Sequence, residues 1–94
     1  MRIEWSDAAK RDRYELLTYL ASVSPLAALD ADDRIDHVVE ILAIFPFAGR
    51  LGRLRGTREL VIGGTRYIAA YQVEENAVVV LRLFDASRDW QPKD

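Results

Sequence analysis

The chain has 94 residues, half of them apolar and 30% charged, with a formal net charge of −2. This composition is typical of a globular domain and argues against a disordered chain or a membrane protein, because no apolar run approaches the roughly 20 residues that cross a bilayer. There is no cysteine, which excludes disulfides, thiolate-bound metals and cysteine nucleophiles. The amino terminus lacks the apolar stretch of a signal peptide, so we expect one domain over residues 1–94, located in the cytoplasm.

The amino-terminal segment predicts a strand and then a helix. Residues 2–5 alternate between polar and apolar side chains, which indicates a strand. Ser6 or Asp7 is a good N-cap, and the helix that follows is expected to run to about Ala21.

A second helix is expected to begin at Ser24-Pro25. Serine is a favoured N-cap and proline is favoured at the first helical position, and Pro46 ends the element. Because the connection is short, the two helices should form an antiparallel hairpin. The apolar residues of the second helix are Leu29, Ile35, Val38, Val39, Leu42 and Phe45.

The second half of the chain has the pattern of a β-meander. An irregular Gly/Arg-rich segment, residues 46–57, precedes strands expected at 58–62, 65–73 and 77–84. The last of these is almost continuously apolar, which places it near the centre of the sheet. The order β-α-α-β-β-β predicts an α+β fold, with a helical hairpin packed on one face of a small, mainly antiparallel sheet.

Charge is concentrated between residues 50 and 66. Five arginines lie there with a single acidic residue, Glu59: Arg50, Arg53, Arg55, Arg58 and Arg66. The planar guanidinium suits phosphates and carboxylates, so this segment could bind nucleic acid or an acidic protein surface. It could equally be a solvated turn with ordinary surface arginines.

The chain offers few groups for catalysis or cofactor binding. The single histidine, His37, lies off the apolar stripe of its helix and is expected to face solvent. No Gly-x-Ser-x-Gly elbow is present, and the glycines match neither a P-loop nor a dinucleotide-binding pattern. The acidic residues 30–36 lack the spacing of a Ca²⁺ loop. We therefore expect no cofactor and no metal.

Two tyrosines allow alternative interpretations. Tyr67 and Tyr71 lie four residues apart on one strand and so share a face. With Arg58 and Arg66 nearby they could form a basic, aromatic surface for RNA, although packing against the helical hairpin is the commoner use. Trp90, near the carboxy terminus, could bind a partner or pin the tail to the domain.

An ordered set of short motifs resembles the RelE/ParE superfamily of toxins from toxin–antitoxin systems, and most closely the ParE branch, known from plasmid stabilisation. The strongest motif is residues 56–61, Gly-Thr-Arg-Glu-Leu-Val, followed by Tyr-x-x-x-Tyr at 67–71 and Arg-x-Trp at 88–90. Weaker matches run along most of the chain: Trp5-Ser6, Ala9, Tyr19-Leu20-Ala21, Pro25, Ala27-Ala28, Phe45-Pro46, Gly49-Arg50, Gly52-Arg53 and Val79-Val80-Leu81-Arg82.

The resemblance implies two different functions. RelE-like members are ribosome-dependent mRNA endonucleases that use basic residues with a tyrosine or histidine near the carboxy terminus, whereas ParE-like members bind and poison DNA gyrase. Where many relatives carry that histidine, this chain has Asp85, and the lysines of the RelE type are missing. On the ribonuclease alternative, the residues to consider are Arg58, Arg82, Arg88 and Tyr71.

RNA cleavage needs a base, an acid and charge stabilisation, and only the last is expected here. The leading prediction is therefore a gyrase-binding toxin of the ParE type, which acts as a binding inhibitor and not as an enzyme. The alternatives are an mRNA endonuclease and a non-toxic relic that only binds an antitoxin.

The resemblance also implies a partner. A cognate antitoxin, ParD-like or similar, would wrap the toxin with a disordered segment that folds on binding, giving a hetero-oligomer that meets operator DNA only through the antitoxin. The expected contacts with target or antitoxin are Arg50, Arg53, Arg55, Arg58, Arg66 and Trp90. A membrane partner is not expected.

Overall fold

Two helices pack on one face of a five-stranded sheet in the computed structural model, which describes residues 1–88. The elements are β1 (Arg2–Trp5), α1 (Asp7–Val23), α2 (Pro25–Ile44), β2 (Arg50–Leu51), β3 (Arg58–Val61), β4 (Tyr67–Val73) and β5 (Ala77–Asp85). The strand order is β1-β5-β4-β3-β2, with β1 parallel to β5 and the other neighbours antiparallel. The predicted α+β fold is confirmed. No helix within residues 1–88 has the length and apolarity to cross a membrane.

Both helices begin where the capping residues predicted. The hydroxyl of Ser6 accepts a hydrogen bond from the N–H of Ala9 at 3.0 Å, and that of Ser24 accepts from the N–H of Ala27 at 3.3 Å. These bonds satisfy backbone donors that the first turn of a helix leaves without partners. The first helix continues to Val23, two residues beyond the expected end, because Ser24 both ends it and starts the next.

The sheet contains a strand that the sequence did not predict. Arg50 and Leu51, within the segment expected to be irregular, pair with Glu59 and Arg58 of β3. Two residues are too few to show an alternating pattern. The strand begins beside Gly49, whose N–H donates to the hydroxyl of Tyr71 at 2.8 Å.

The core lies between the helices and the inner face of the sheet. The second helix buries Ala31, Ile35, Val38 and Leu42, which follow the spacing of one helical face. Leu29, one of the apolar residues named for this helix, is instead 63% exposed. It lies two residues, or about 200° around the helix, from Ala31 and so faces away from the sheet.

β5 is an interior strand next to β4, the middle strand of the five, and its amino-terminal end pairs with β1 on one side and β4 on the other. Its position confirms the expectation from its apolar sequence. On β4, both Tyr67 and Tyr71 belong to the core beneath the helices. Their position agrees with packing against the hairpin rather than with an exposed aromatic surface.

Candidate binding surfaces

The arginines of residues 50–66 do not form one patch, because successive residues of a strand point to opposite faces. On β3, Arg58 lies opposite Tyr71, and Glu59 opposite Ala70. Tyr71 packs beneath the helices whereas Ala70 belongs to a separate cluster on the other face. Arg58 is therefore on the helix side of the sheet, and Glu59 is on the side without helices.

Glu59 binds two of the arginines. Its side chain is 3% exposed; Oε1 accepts from Arg50 at 3.2 Å, and Oε2 lies 3.3 Å from Nε of Arg53. Oε2 also accepts the backbone N–H of Arg53 at 3.0 Å. The Arg53 guanidinium lies over the ring of Phe84, 4.8 Å from its centre, a cation–π distance. Both arginines thus help to hold residues 50–53 on the sheet. The only sequence signal for this role was that Glu59 is the single acid among five arginines.

Arg58 is held by carbonyl groups and an aromatic ring instead of a carboxylate. Its Nη1 donates to the carbonyl of Gly49 at 2.8 Å, and its guanidinium lies 5.1 Å from the ring centre of Phe47. Among residues 1–88, no acidic side chain forms an ion pair with Arg58 or with Arg55. Arg55 is exposed in the loop between β2 and β3. These two arginines keep their charge available to a partner.

Arg66 and Arg88 lie beside Asp85 at the end of β5. Oδ2 of Asp85 is 3.5 Å from Arg66 and 4.0 Å from Arg88. Hydrogen bonds from the hydroxyl and the backbone N–H of Ser87, at 2.6 and 2.8 Å, lower the pKa of Asp85, and the two arginines lower it further. The carboxylate is therefore ionised at neutral pH and partly neutralises both arginines.

Of the four residues of the ribonuclease alternative, Arg58 and Tyr71 are cross-strand neighbours that both bond Gly49, whereas Arg82 and Arg88 bind other partners. Tyr71 is fully buried, with its hydroxyl bound to Gly49. Arg82 makes two hydrogen bonds to Asp12, at 2.7 and 3.1 Å, which raise its pKa. Within residues 1–88, no side-chain hydrogen bond, ion pair or ring contact joins any two of Arg58, Tyr71, Arg82 and Arg88. Sequence reasoning missed Asp12, since nothing in α1 marks it as a partner of a strand 70 residues away.

His37 is exposed on α2. Among residues 1–88 no group of histidine and acidic side chains could hold a metal ion. The acidic start of α2 pairs instead with cations, because Asp32 and Asp36 bind Arg13. Trp90 lies outside the described residues.

An apolar groove runs along the outer side of the helical hairpin, away from the sheet. It is formed by Tyr14, Leu17, Ala21, Pro25, Ala28 and Leu29, with Thr18 and Asp32 at its border. Tyr14 is 72% exposed and Leu29 is 63% exposed. We call these residues the hairpin groove.

A second exposed apolar surface lies at the other end of α2. Ile44, Phe45, Phe47 and Leu51 are between 63% and 79% exposed. Leu51 is the register partner of Arg58, and Phe47 contacts Arg58. We call these five residues the Phe47–Arg58 surface.

Comparison with known proteins identifies the family. Residues 3–90 match the family model described as the ParE toxin of the type II toxin–antitoxin system parDE. The chain belongs to this family. The predicted membership in the RelE/ParE superfamily, on its ParE branch, is confirmed.

Individual proteins that are similar to this ParE family member are consistent with the assignment to the family. "Putative toxin Y4kP" of Sinorhizobium fredii (strain NBRC 101917 / NGR234) is 36% identical over 89 residues, which cover 95% of this chain and 92% of that protein. A solved chain of the chromosomal ParDE TA system from P. aeruginosa has a TM-score of 0.76 and 26% identity, over 88% of this chain and 92% of that one. YafQ from E. coli strain BL21(DE3) has a TM-score of 0.61 and 12% identity, over 93% of this chain and 96% of that one, and shows the shared fold alone.

Proposed function

We propose that this chain is a toxin that binds and inhibits DNA gyrase, and that a ParD-like antitoxin neutralises it in the cytoplasm. Membership in the ParE family is the observation that carries the proposal. The similar solved chain from P. aeruginosa comes from a ParDE system, which supports a partner of the ParD type. The complex would meet operator DNA through the antitoxin.

The positions of the ribonuclease candidates support a binding inhibitor. Metal-free cleavage of RNA needs a base for the 2′-hydroxyl and an acid for the leaving group. The hydroxyl of Tyr71 is buried and already accepts a hydrogen bond. Asp85 has a lowered pKa, so it is a poor proton donor at neutral pH. Arg82 is held by Asp12. Arg88 lies beside the carboxylate of Asp85, so Arg58 is the candidate whose charge no acidic side chain within residues 1–88 offsets and which could stabilise negative charge.

A supercoiling assay with purified chain and DNA gyrase tests the proposal. We expect loss of supercoiling that the antitoxin restores when it is added in equimolar amount. No inhibition at a large excess of toxin would contradict the proposal. Cleavage of ribosome-bound mRNA that is abolished by Arg58→Ala would favour the endonuclease instead.

The hairpin groove is the surface that we assign to the antitoxin. An amphipathic segment that folds into a helix on binding would bury its apolar face there. An aspartate in place of Leu29 would leave a charge in that contact. We expect Leu29→Asp to weaken antitoxin binding at least tenfold, as measured by calorimetry, and to leave gyrase inhibition unchanged.

The matched control for this variant is Leu26→Asp. Leu26 is 77% exposed on the same helix but does not line the hairpin groove. Equal losses of antitoxin affinity in the two variants would mean that the groove is not the docking site.

A further inference from the structure

We infer that the Phe47–Arg58 surface is a second docking site, which binds an extended, acidic and apolar segment of the target protein; the inference rests on the proposed function. The surface combines exposed apolar side chains with the guanidinium of Arg58, which has no acidic partner among residues 1–88, and Arg55 in the loop after β2 has none there either. Four large apolar residues within eight positions of the chain are mostly exposed. Single exposed apolar residues are common on protein surfaces, but a cluster of this kind marks an interaction site.

The edge of the sheet provides backbone groups for such a segment. β2 is the outermost strand. The N–H of Gly52 donates to the carbonyl of Thr57 at 2.8 Å, and hydrogen-bonded and non-hydrogen-bonded pairs alternate along an antiparallel pair. The N–H and C=O of Leu51, one residue earlier, therefore point away from β3 toward the open edge. An extended peptide can pair with them by strand addition.

The charge of the surface selects an acidic partner. Arg58 and Arg55 carry their charge without an ion pair within residues 1–88, whereas Arg50 and Arg53 share the buried carboxylate of Glu59. An acidic side chain next to apolar ones would therefore pair with Arg58 or Arg55 while its neighbours cover Phe47 and Leu51. Nucleic acid is a poorer match, because two unpaired arginines on an acidic chain neutralise few phosphates.

The site is separate from the hairpin groove. Leu29 and Ile44 lie 15 residues apart on α2, which at 1.5 Å per residue is about 22 Å along the helix axis. A helical segment seated in the hairpin groove near the start of α2 would leave the surface beyond Ile44 uncovered. One toxin molecule thus has an apolar groove for a helix at one end of α2 and a cationic strand edge at the other.

Two variants test the site, with Leu29→Asp as their control. Leu51→Asp places a carboxylate on a residue that is 79% exposed, and Arg55→Glu reverses the charge of a side chain that has no ion pair within residues 1–88, so neither should disturb folding. We expect each to raise the toxin concentration for half-maximal gyrase inhibition at least tenfold and to keep antitoxin affinity within twofold of the unaltered chain. Leu29→Asp should instead leave gyrase inhibition unchanged and weaken antitoxin binding at least tenfold.

Two outcomes would overturn the inference. Either both variants inhibit gyrase as the unaltered chain does, or both lose antitoxin binding by the same factor as inhibition, which would make the surface part of the antitoxin site. If the unaltered chain leaves gyrase unaffected, the proposed function fails. The inference is then decided by growth arrest after induction of each chain without antitoxin. If the unaltered chain arrests growth and both variants do not, the surface docks another target protein. If the variants arrest growth as the unaltered chain does, or if no chain arrests growth, the inference is rejected.

Discussion

Glu59 shows how one buried carboxylate organises the arginine-rich segment. Its two oxygens hold the side chain of Arg50 and both the backbone and the side chain of Arg53. A carboxylate that is buried this well is stable only with such partners, because an unpaired buried charge costs several kcal/mol. The sequence identified a concentration of arginines, but not that a strand would divide them between two faces or that an acid would bind two of them.

Removal of that charge should loosen the segment. We expect Glu59→Gln to lower the free energy of unfolding by about 1–2 kcal/mol, because the amide keeps an acceptor but loses the charge. The effect is modest because Arg50 and Arg53 reach water. Urea unfolding measures it. Glu75→Gln, in the exposed turn between β4 and β5, is the control and should change stability by less than about 0.5 kcal/mol; equal midpoints in the two variants would contradict the role of Glu59.

Asp85 should make the stability of the domain depend on pH in the acidic range. The pKa of Asp85 is lower in the folded chain than in the unfolded chain. The ionised carboxylate therefore stabilises the fold at pH values above its pKa in the unfolded chain, about 3.9. That stabilisation is lost as the pH falls from there through the pKa of the folded chain. Asp85→Asn should therefore be less stable than the unaltered chain at pH 7, and the difference should shrink toward pH 3. Urea midpoints at both pH values test this. If the difference in stability between the two chains does not change with pH, it does not arise from the ionisation of Asp85.

Gly49 sets the entry of the chain into the short strand β2. A Cβ atom there would lie 2.7 Å from the carbonyl oxygen of Glu59 and 2.7 Å from the hydroxyl of Tyr71. The carbonyl belongs to β3 and cannot move without disturbing the sheet. The glycine therefore allows the two-residue strand to lie close against its neighbour, which explains how so short an element forms in a segment without strand-like sequence.

Because other atoms approach Gly49 so closely, the addition of a single methyl group at this residue should destabilise the fold. We expect Gly49→Ala to lower the free energy of unfolding by about 1–3 kcal/mol, the usual range for overpacking. Gly63→Ala is the control, because a Cβ at Gly63 meets no atom within 4 Å. Thermal unfolding compares the two variants. If both lose the same stability, the cause is the added side chain in general and not the crowding at Gly49.

The elements themselves were predictable to different degrees. Ser6 and Ser24 marked the helix starts because their hydroxyls bond nearby backbone groups, a local interaction that sequence alone contains. The exposure of Leu29 was not predictable. An apolar residue on the wrong side of a helix cannot be distinguished from a core residue until the helix is placed on its sheet, and at Leu29 that side forms the hairpin groove.

On the scale of the whole molecule, the domain leaves large apolar areas for its partners. Only proteins that bind the folded chain in preference to the unfolded chain stabilise it, and a ligand at 100 times its Kd contributes about 2.7 kcal/mol. For a chain of this length each kcal/mol raises Tm by roughly 4–8 °C. An antitoxin at that concentration should thus raise Tm by about 10–20 °C, and less for Leu29→Asp at the same concentration. Scanning calorimetry tests this, and an equal rise in both chains would place the antitoxin elsewhere.

The parallel pairing of β1 with β5 has a consequence for synthesis. The first strand finds its sheet neighbour only in residues 77–80, near the end of the chain, so the ribosome must synthesise most of the sequence before β1 can join the sheet. Contacts between such distant residues slow folding. A nascent chain that stops before Ala77 has β1 without a neighbour and β4 with one side open. Premature termination before Ala77 would therefore yield an incompletely folded polypeptide instead of a shortened toxin.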